Sequence, residues 1–155
     1  MEVECSFRAI VGGSCSQLRR KDTKSSGESS RIIIPLLSCE KDISNHKSLF
    51  SFNEPVDEVD LIFSRAAIFS RPKDIKSWTV CSHHRHTLGL GWTRGANTRC
   101  RVPVELSNHG KSRSKWPKSE RGIGKYHSQI ILKNTGIFIP VGSGKQLFFD
   151  LVLIL

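Results

Sequence analysis

The chain has 155 residues, the length of one ordinary domain, and its apolar share of 37% lies below the usual range of about 45–50%, a range that also counts Gly, so that the 12 Gly narrow the gap. Its formal charge of +10 is lopsided: residues 1–80 carry +1 and residues 81–155 carry +9. These figures argue against a single compact globule of all 155 residues, and they favour a polyanion as partner for the second half.

The opening stretch "MEVECSFRAIVGGSC" has no basic segment followed by an apolar one, so no signal peptide is expected. A nuclear or cytoplasmic location follows, in which Cys5, Cys15, Cys39, Cys81 and Cys100 stay reduced. Residues 12–31 are rich in Ser, Gly and charge and read as a flexible linker, and "RIIIPLL" reads as an edge strand or extended segment because Pro35 limits its pairing. Residues 1–53 are therefore expected to be mostly disordered. Residues 54–70 carry a helical stripe of Val56, Val59, Ile62, Phe63, Ala66 and Phe69 (or Ala67), with Pro55 suited to the first helical position and Arg71-Pro72 as its stop. That stripe is core or a surface for a protein partner.

Residues 78–103 read as short extended pieces with Gly-rich turns, followed by a basic loop, "SNHGKSRSKWPKSERG". "GIGKYHSQIILKNTG" reads as a second helix, with Ile123, Tyr126, Ile130 and Ile131 on one face and Gly136 at its end. "IFIPVG" reads as a strand, and the tail "LFFDLVLIL" is too short to span a bilayer. The fold class expected is α+β: a small metal-stabilised module at 54–144 with two helices and short strands, and an apolar tail at 145–155.

The densest group of donor side chains is "CSHHRH" at 81–86. Cys81-x2-His84 has the spacing of a turn that aims both side chains at one ion, and Cys100 with His109 is the nearest downstream pair. Mixed thiolate and imidazole sets select zinc in tetrahedral geometry. The plain alternative is two small buried cysteines and solvated histidines. A Cys/His nucleophile lacks an accompanying acid or amide signature, so no catalytic residue is expected and the chain is not read as an enzyme. "PVGSGKQ" has Ile139 where a phosphate-binding loop needs Gly, and Gln146 where it needs Ser or Thr; it reads as a turn. Between 81 and 127 lie Arg85, Arg94, Arg99, Arg101, Lys111, Arg113, Lys115, Lys118, Arg121 and Lys125, interleaved with Trp92, Trp116 and Tyr126. Cations for phosphates and aromatic faces for bases are the composition of a nucleic-acid surface. The different-class alternative is a metal-free protein-interaction fragment that uses the 54–70 stripe and the tail.

The stretch from "SWTVCSHHRHTLGLGW" through "CRVP" and "RGIGKYHSQIIL" to "IFIPVGSG" resembles a poorly characterised family of invertebrate Cys/His-rich, zinc-finger-like modules of transposon-like, lineage-expanded proteins. The resemblance covers about residues 77–144 and implies a metal-binding module with Cys81, His84, Cys100 and His109 as ligands. The chain departs from that pattern after "PVGSG", where "KQLFFDLVLIL" stands in place of a final cysteine pair. A truncated reading frame without independent function is one account of that end.

Overall fold

The structure is a computed structural model that describes residues 4–15, 32–95, 99–103, 106, 118–119 and 121–145. The fold is α+β. The helices are α1 (Arg8–Val11), α2 (Ser44–Phe50), α3 (Glu58–Arg65), α4 (Ser82–Leu88) and α5 (Lys125–Thr135). Strand β1 (Ile33–Pro35) pairs antiparallel with β2 (Thr79–Cys81), and β3 (Arg121–Gly122) with β4 (Gly144–Lys145). The chain divides into two compact units, Met1–Asp42 with Asp57–Trp92, and Ile43–Val56 with Thr93–Leu155.

The division differs from the expected one, a single module at 54–144 after a disordered first fifty residues. Residues 4–15 and 32–53 form ordered elements, because their few large apolar side chains have partners distant in sequence. Phe7 is fully buried, with its ring centroid 5.9 Å from Phe63 and 5.5 Å from Trp78. Burial of one such ring stabilises by about 1.5–3 kcal/mol, and the Ser6–Thr79 hydrogen bonds and the buried Cys5 and Cys15 add to it against the cost of ordering the segment. Leu36 and Cys39 enter the same core. The rest of the expected linker, residues 16–31, and the end of the tail, residues 146–155, lie outside the described residues.

The expected stripe is realised in part: Val59, Ile62 and Phe63 of α3 and Ala66 at its C-terminal cap are buried in the first unit's core, whereas Val56 precedes the helix and is 69% exposed and Phe69 lies beyond it. The helix is shorter than expected at both ends. Asp57, not Pro55, sets its start: the Asp57 carboxylate accepts from the Asp60 backbone N–H at 2.8 Å and caps the first turn. It stops at Arg65, before Arg71-Pro72, because Ala67 takes a left-handed backbone at φ 62°. Glu58, Leu61, Ser64 and Arg65 are buried too, so α3 is packed on more than its apolar stripe.

Residues 82–88, expected as extended chain, form α4. Three contacts hold this polar helix in place. Cys81 caps its N-terminus, accepting from the His84 N–H. Arg85 makes a bidentate ion pair with the buried Glu58, at 2.7 and 2.9 Å. Arg65 donates to the carbonyls of Leu88 and Gly89 at its C-terminal end, with its guanidinium 4.2 Å over Trp92. These tertiary partners, not an apolar stripe, make the helix.

The second unit has its own core of Cys100, Val102, Ile123, Ile131 and Ile139. Helix α5 ends as expected at Gly136, whose φ of 73° and N–H to Leu132 O at 2.8 Å close the last turn. Its expected common face is only partly realised: Ile123 precedes the helix, Ile131 is buried, and Tyr126 is 59% exposed. Residues 137–140 are not a strand; they run past α5, where Ile139 O accepts from the buried Ser128 hydroxyl at 2.6 Å.

Candidate metal centre

The first unit gathers three thiols and one imidazole. Strand β2 delivers Cys81 at its last position, and the cap geometry of α4 returns His84 to the same side one turn later. The N-terminal segment delivers the other two. The Ser6 N–H donates to Thr79 O at 3.2 Å and the Ser6 hydroxyl accepts from the Thr79 N–H at 2.9 Å, which places Cys5 alongside β2. After α1, Gly12 and Gly13 at φ 76° and 81° turn the chain back, a backbone that side-chain-bearing residues rarely adopt. Cys15 Sγ then accepts from the Cys5 N–H at 3.3 Å.

The donor atoms of Cys5, Cys15, Cys81 and His84 all lie within 4.8 Å of one another, and all four residues are buried. From His84 Nδ1 the sulfurs of Cys81, Cys5 and Cys15 are at 3.0, 3.2 and 3.7 Å. A tetrahedral zinc with bonds of about 2.3 Å to sulfur and about 2.0 Å to nitrogen has S···N edges of about 3.5 Å, so the set has the size of one coordination shell. The other ring nitrogen, Nε2, lies 2.7 Å from Gly12 O. A proton on Nε2 satisfies that carbonyl and leaves Nδ1 as a lone-pair donor facing the sulfurs, the outer-shell arrangement typical of a metal-bound histidine.

The three thiols do not hold their protons equally. A hydrogen bond from Cys81 holds Cys5 far below the ordinary thiol range, at about 4, against the opposing effect of burial. Giving that hydrogen bond, together with burial, pushes Cys81 up, and burial pushes Cys15 up. A divalent ion held by these sulfurs would displace the thiol protons. No oxygen donor belongs to the set, which disfavours calcium and magnesium.

Of the ligands expected from spacing, Cys81 and His84 belong to this group. Cys100 is packed in the apolar core of the second unit, and His109 lies outside the described residues. Their places are taken by Cys5 and Cys15, which sequence spacing did not single out. The available signal was a pair of cysteines flanking a buried-type Phe and a Gly-Gly turn, in a segment otherwise poor in reasons to fold. Cys39 is buried in the same core but is not in the donor group.

The expected nucleic-acid cations separate into two kinds. Arg85 is engaged by Glu58. Arg94 donates to Gly142 O and Phe50 O, and burial pushes its pKa down; it is a structural clamp of the second unit. Arg99, Arg101, Lys118 and Arg121 are exposed, and Lys125 is half-buried. Backbone pairing brings Arg99 opposite Lys118 and Arg121 opposite Lys145, while the Arg101 N–H donates to Gly144 O. Lys111, Arg113 and Lys115 lie outside the described residues.

Comparison with known protein families, with curated proteins and with solved structures finds no match to this chain. No helix among the described residues is long and apolar enough to cross a membrane.

Proposed function

We propose that this chain is a zinc-stabilised basic binding protein: the first unit is held by one Cys3His zinc, and the second unit contacts nucleic acid. The observation that carries the metal assignment is the buried, mutually contacting donor set of Cys5, Cys15, Cys81 and His84. Four protein donors complete a tetrahedral shell and leave no position for water, so the role is structural and not catalytic. A bound zinc would also tie the N-terminal segment to β2 and α4. The resemblance of residues 77–144 to Cys/His-rich modules agrees with a metal role for Cys81 and His84, but the reading does not depend on it.

The nucleic-acid half is supported by charge and its placement. The second unit carries eight of the ten net positive charges, and the Arg99–Lys118 backbone bridge sets two exposed cations opposite one another. The test is a salt titration of duplex and single-stranded oligonucleotide binding by zinc-loaded protein. Phosphate contacts from Arg99, Arg101, Lys118 and Arg121 predict a slope of log affinity against log salt of about −3.6 on duplex and about −2.8 on single strands. A slope near zero, or no binding at low salt, contradicts the nucleic-acid half and leaves the metal half standing.

A further inference from the structure

The second unit contains a pocket of about 480 Å3 whose lining includes Leu49, Phe50, Thr93, Arg94, Lys118 and Ser119. Its size falls in the range of small-molecule sites. Part of the lining is apolar: Leu49, in the last turn of α2, is 72% exposed, a large side chain left uncovered. Another part is cationic. Arg94 is held by the fold, with Nε donating to Gly142 O, Nη2 donating to Phe50 O at 2.6 Å, and the guanidinium 5.5 Å from the Phe50 ring. Those bonds use two of its three nitrogens, and Nη1 has no hydrogen-bond partner among the described residues. Lys118 is exposed and is placed by its backbone bridge to Arg99. Gly144 lets that segment come close, since a Cβ there would lie 2.2 Å from the Ser119 Cβ. Neither cation is paired with a carboxylate among the described residues, and no acidic side chain among them lines the pocket. The Thr93 hydroxyl accepts from the Gly95 N–H at 3.2 Å, which leaves its own proton for an acceptor. A half-buried guanidinium bonded only to carbonyls gives up solvation that an anion beside it restores.

We propose that this pocket binds a small organic carboxylate with an apolar body, the carboxylate on Lys118, Arg94 Nη1 and the Thr93 hydroxyl and the body on Leu49. A carboxylate is an acceptor with two oxygens, and donors from three residues satisfy them. A sugar phosphate would meet the cations equally well, but its polar body would gain nothing from Leu49; covering that side chain favours an amphipathic acid. Two sources offer this chemistry: a free aliphatic acid, or the carboxyl terminus of a peptide that ends in an apolar residue. The inference rests neither on bound zinc nor on polynucleotide binding.

The test uses the full chain as purified, with the amide resonances of Leu49, Thr93, Gly95 and Ser119 as reporters. Isocaproate is expected to shift them saturably. Its amide keeps the body and loses the charge, and acetate keeps the charge and loses the body; each is expected to bind about tenfold more weakly or worse. Because Arg94 clamps the unit and its replacement can impair folding, the diagnostic variants are at the exposed Lys118 and Leu49. Lys118→Gln is expected to weaken isocaproate binding about fivefold, the size of an exposed ion pair, and Leu49→Ala about tenfold. Tighter binding of N-acetyl-glycyl-leucine than of isocaproate, lost in the peptide's C-terminal amide, assigns a peptide terminus as the source; weaker binding of the peptide assigns the free acid. No saturable shift with isocaproate, equal binding of isocaproate and its amide or of isocaproate and acetate, or unchanged affinity in either variant overturns the proposal.

Discussion

Under the zinc assignment proposed above, replacing Cys15 by Ser removes one ligand with little change in volume. Structural zinc in small modules contributes about 10–16 kcal/mol at neutral pH, and an even share over four ligands is about 3 kcal/mol. At about 1.4 kcal/mol per tenfold, the zinc dissociation constant should rise about 100-fold. The site localises the loss. Cys15 is the far end of the Gly12–Gly13 turn, which is also held by the Arg8 guanidinium on Gly13 O at 3.2 Å, by His84 Nε2 at Gly12 O and by the Cys5 N–H on Cys15 Sγ at 3.3 Å. The assay is competition against a chelating dye at fixed pH. Cys39→Ala is the control, since Cys39 is buried in the same core and lies outside the donor group. It should lower stability by about 1 kcal/mol and leave zinc affinity within about threefold. Equal zinc affinity for Cys15→Ser and wild type, or an equal loss in Cys39→Ala, would refute the ligand assignment.

Three further outcomes are expected. Burial raises the Glu58 carboxyl, but hydrogen bonds from Arg85 and the Lys41 N–H and the nearby positive charges outweigh it, leaving the pKa below its ordinary value. The stability this group contributes is therefore present at neutral pH and lost as pH falls through the lowered pKa. Glu58→Gln should cost about 2–3 kcal/mol in denaturant unfolding at pH 7, and the gap to wild type should close on acidification; a gap that widens would contradict the ion pair's role. The buried Ser64 hydroxyl has no hydrogen-bond partner among the described residues, so Ser64→Ala should raise stability by about 1 kcal/mol, and a loss of that size would reveal a bond the geometry does not contain. Chelation of zinc should collapse hydrogen-exchange protection at Cys81–Leu88 while α5 keeps its own; equal loss in both would show that the second core does not stand by itself.

The parts of the fold that were legible in the sequence are those whose cause is local. The α3 stripe has helical periodicity, Gly136 ends α5 through its own left-handed backbone, and Cys81-x2-His84 is a cap and the residue one turn on. The parts that were not legible are fixed by residues far along the chain. Helix α4 has no apolar stripe and depends on Glu58 and Arg65, more than twenty positions upstream. Cys5 and Cys15 meet His84 across 79 and 69 positions, so choosing partners by downstream proximity led to Cys100 and His109. The N-terminal segment gave no periodic signal because a buried Phe7, a Ser6 backbone contact and two sulfurs hold it, and none of these leaves a pattern in the sequence. Likewise, a count of basic residues did not distinguish Arg85 and Arg94, which hold the fold, from Arg99, Arg101, Lys118 and Arg121, which face solvent.

The central claim is that Cys5, Cys15, Cys81 and His84 form one metal shell, and X-ray absorption at the zinc edge of purified protein tests it most directly. The account predicts one zinc per chain with three sulfurs at about 2.3 Å and one nitrogen at about 2.0 Å, and loss of one sulfur in Cys15→Ser but not in Cys100→Ser. A metal-free folded protein, a shell of oxygen and nitrogen only, or a sulfur lost in Cys100→Ser and kept in Cys15→Ser would contradict it.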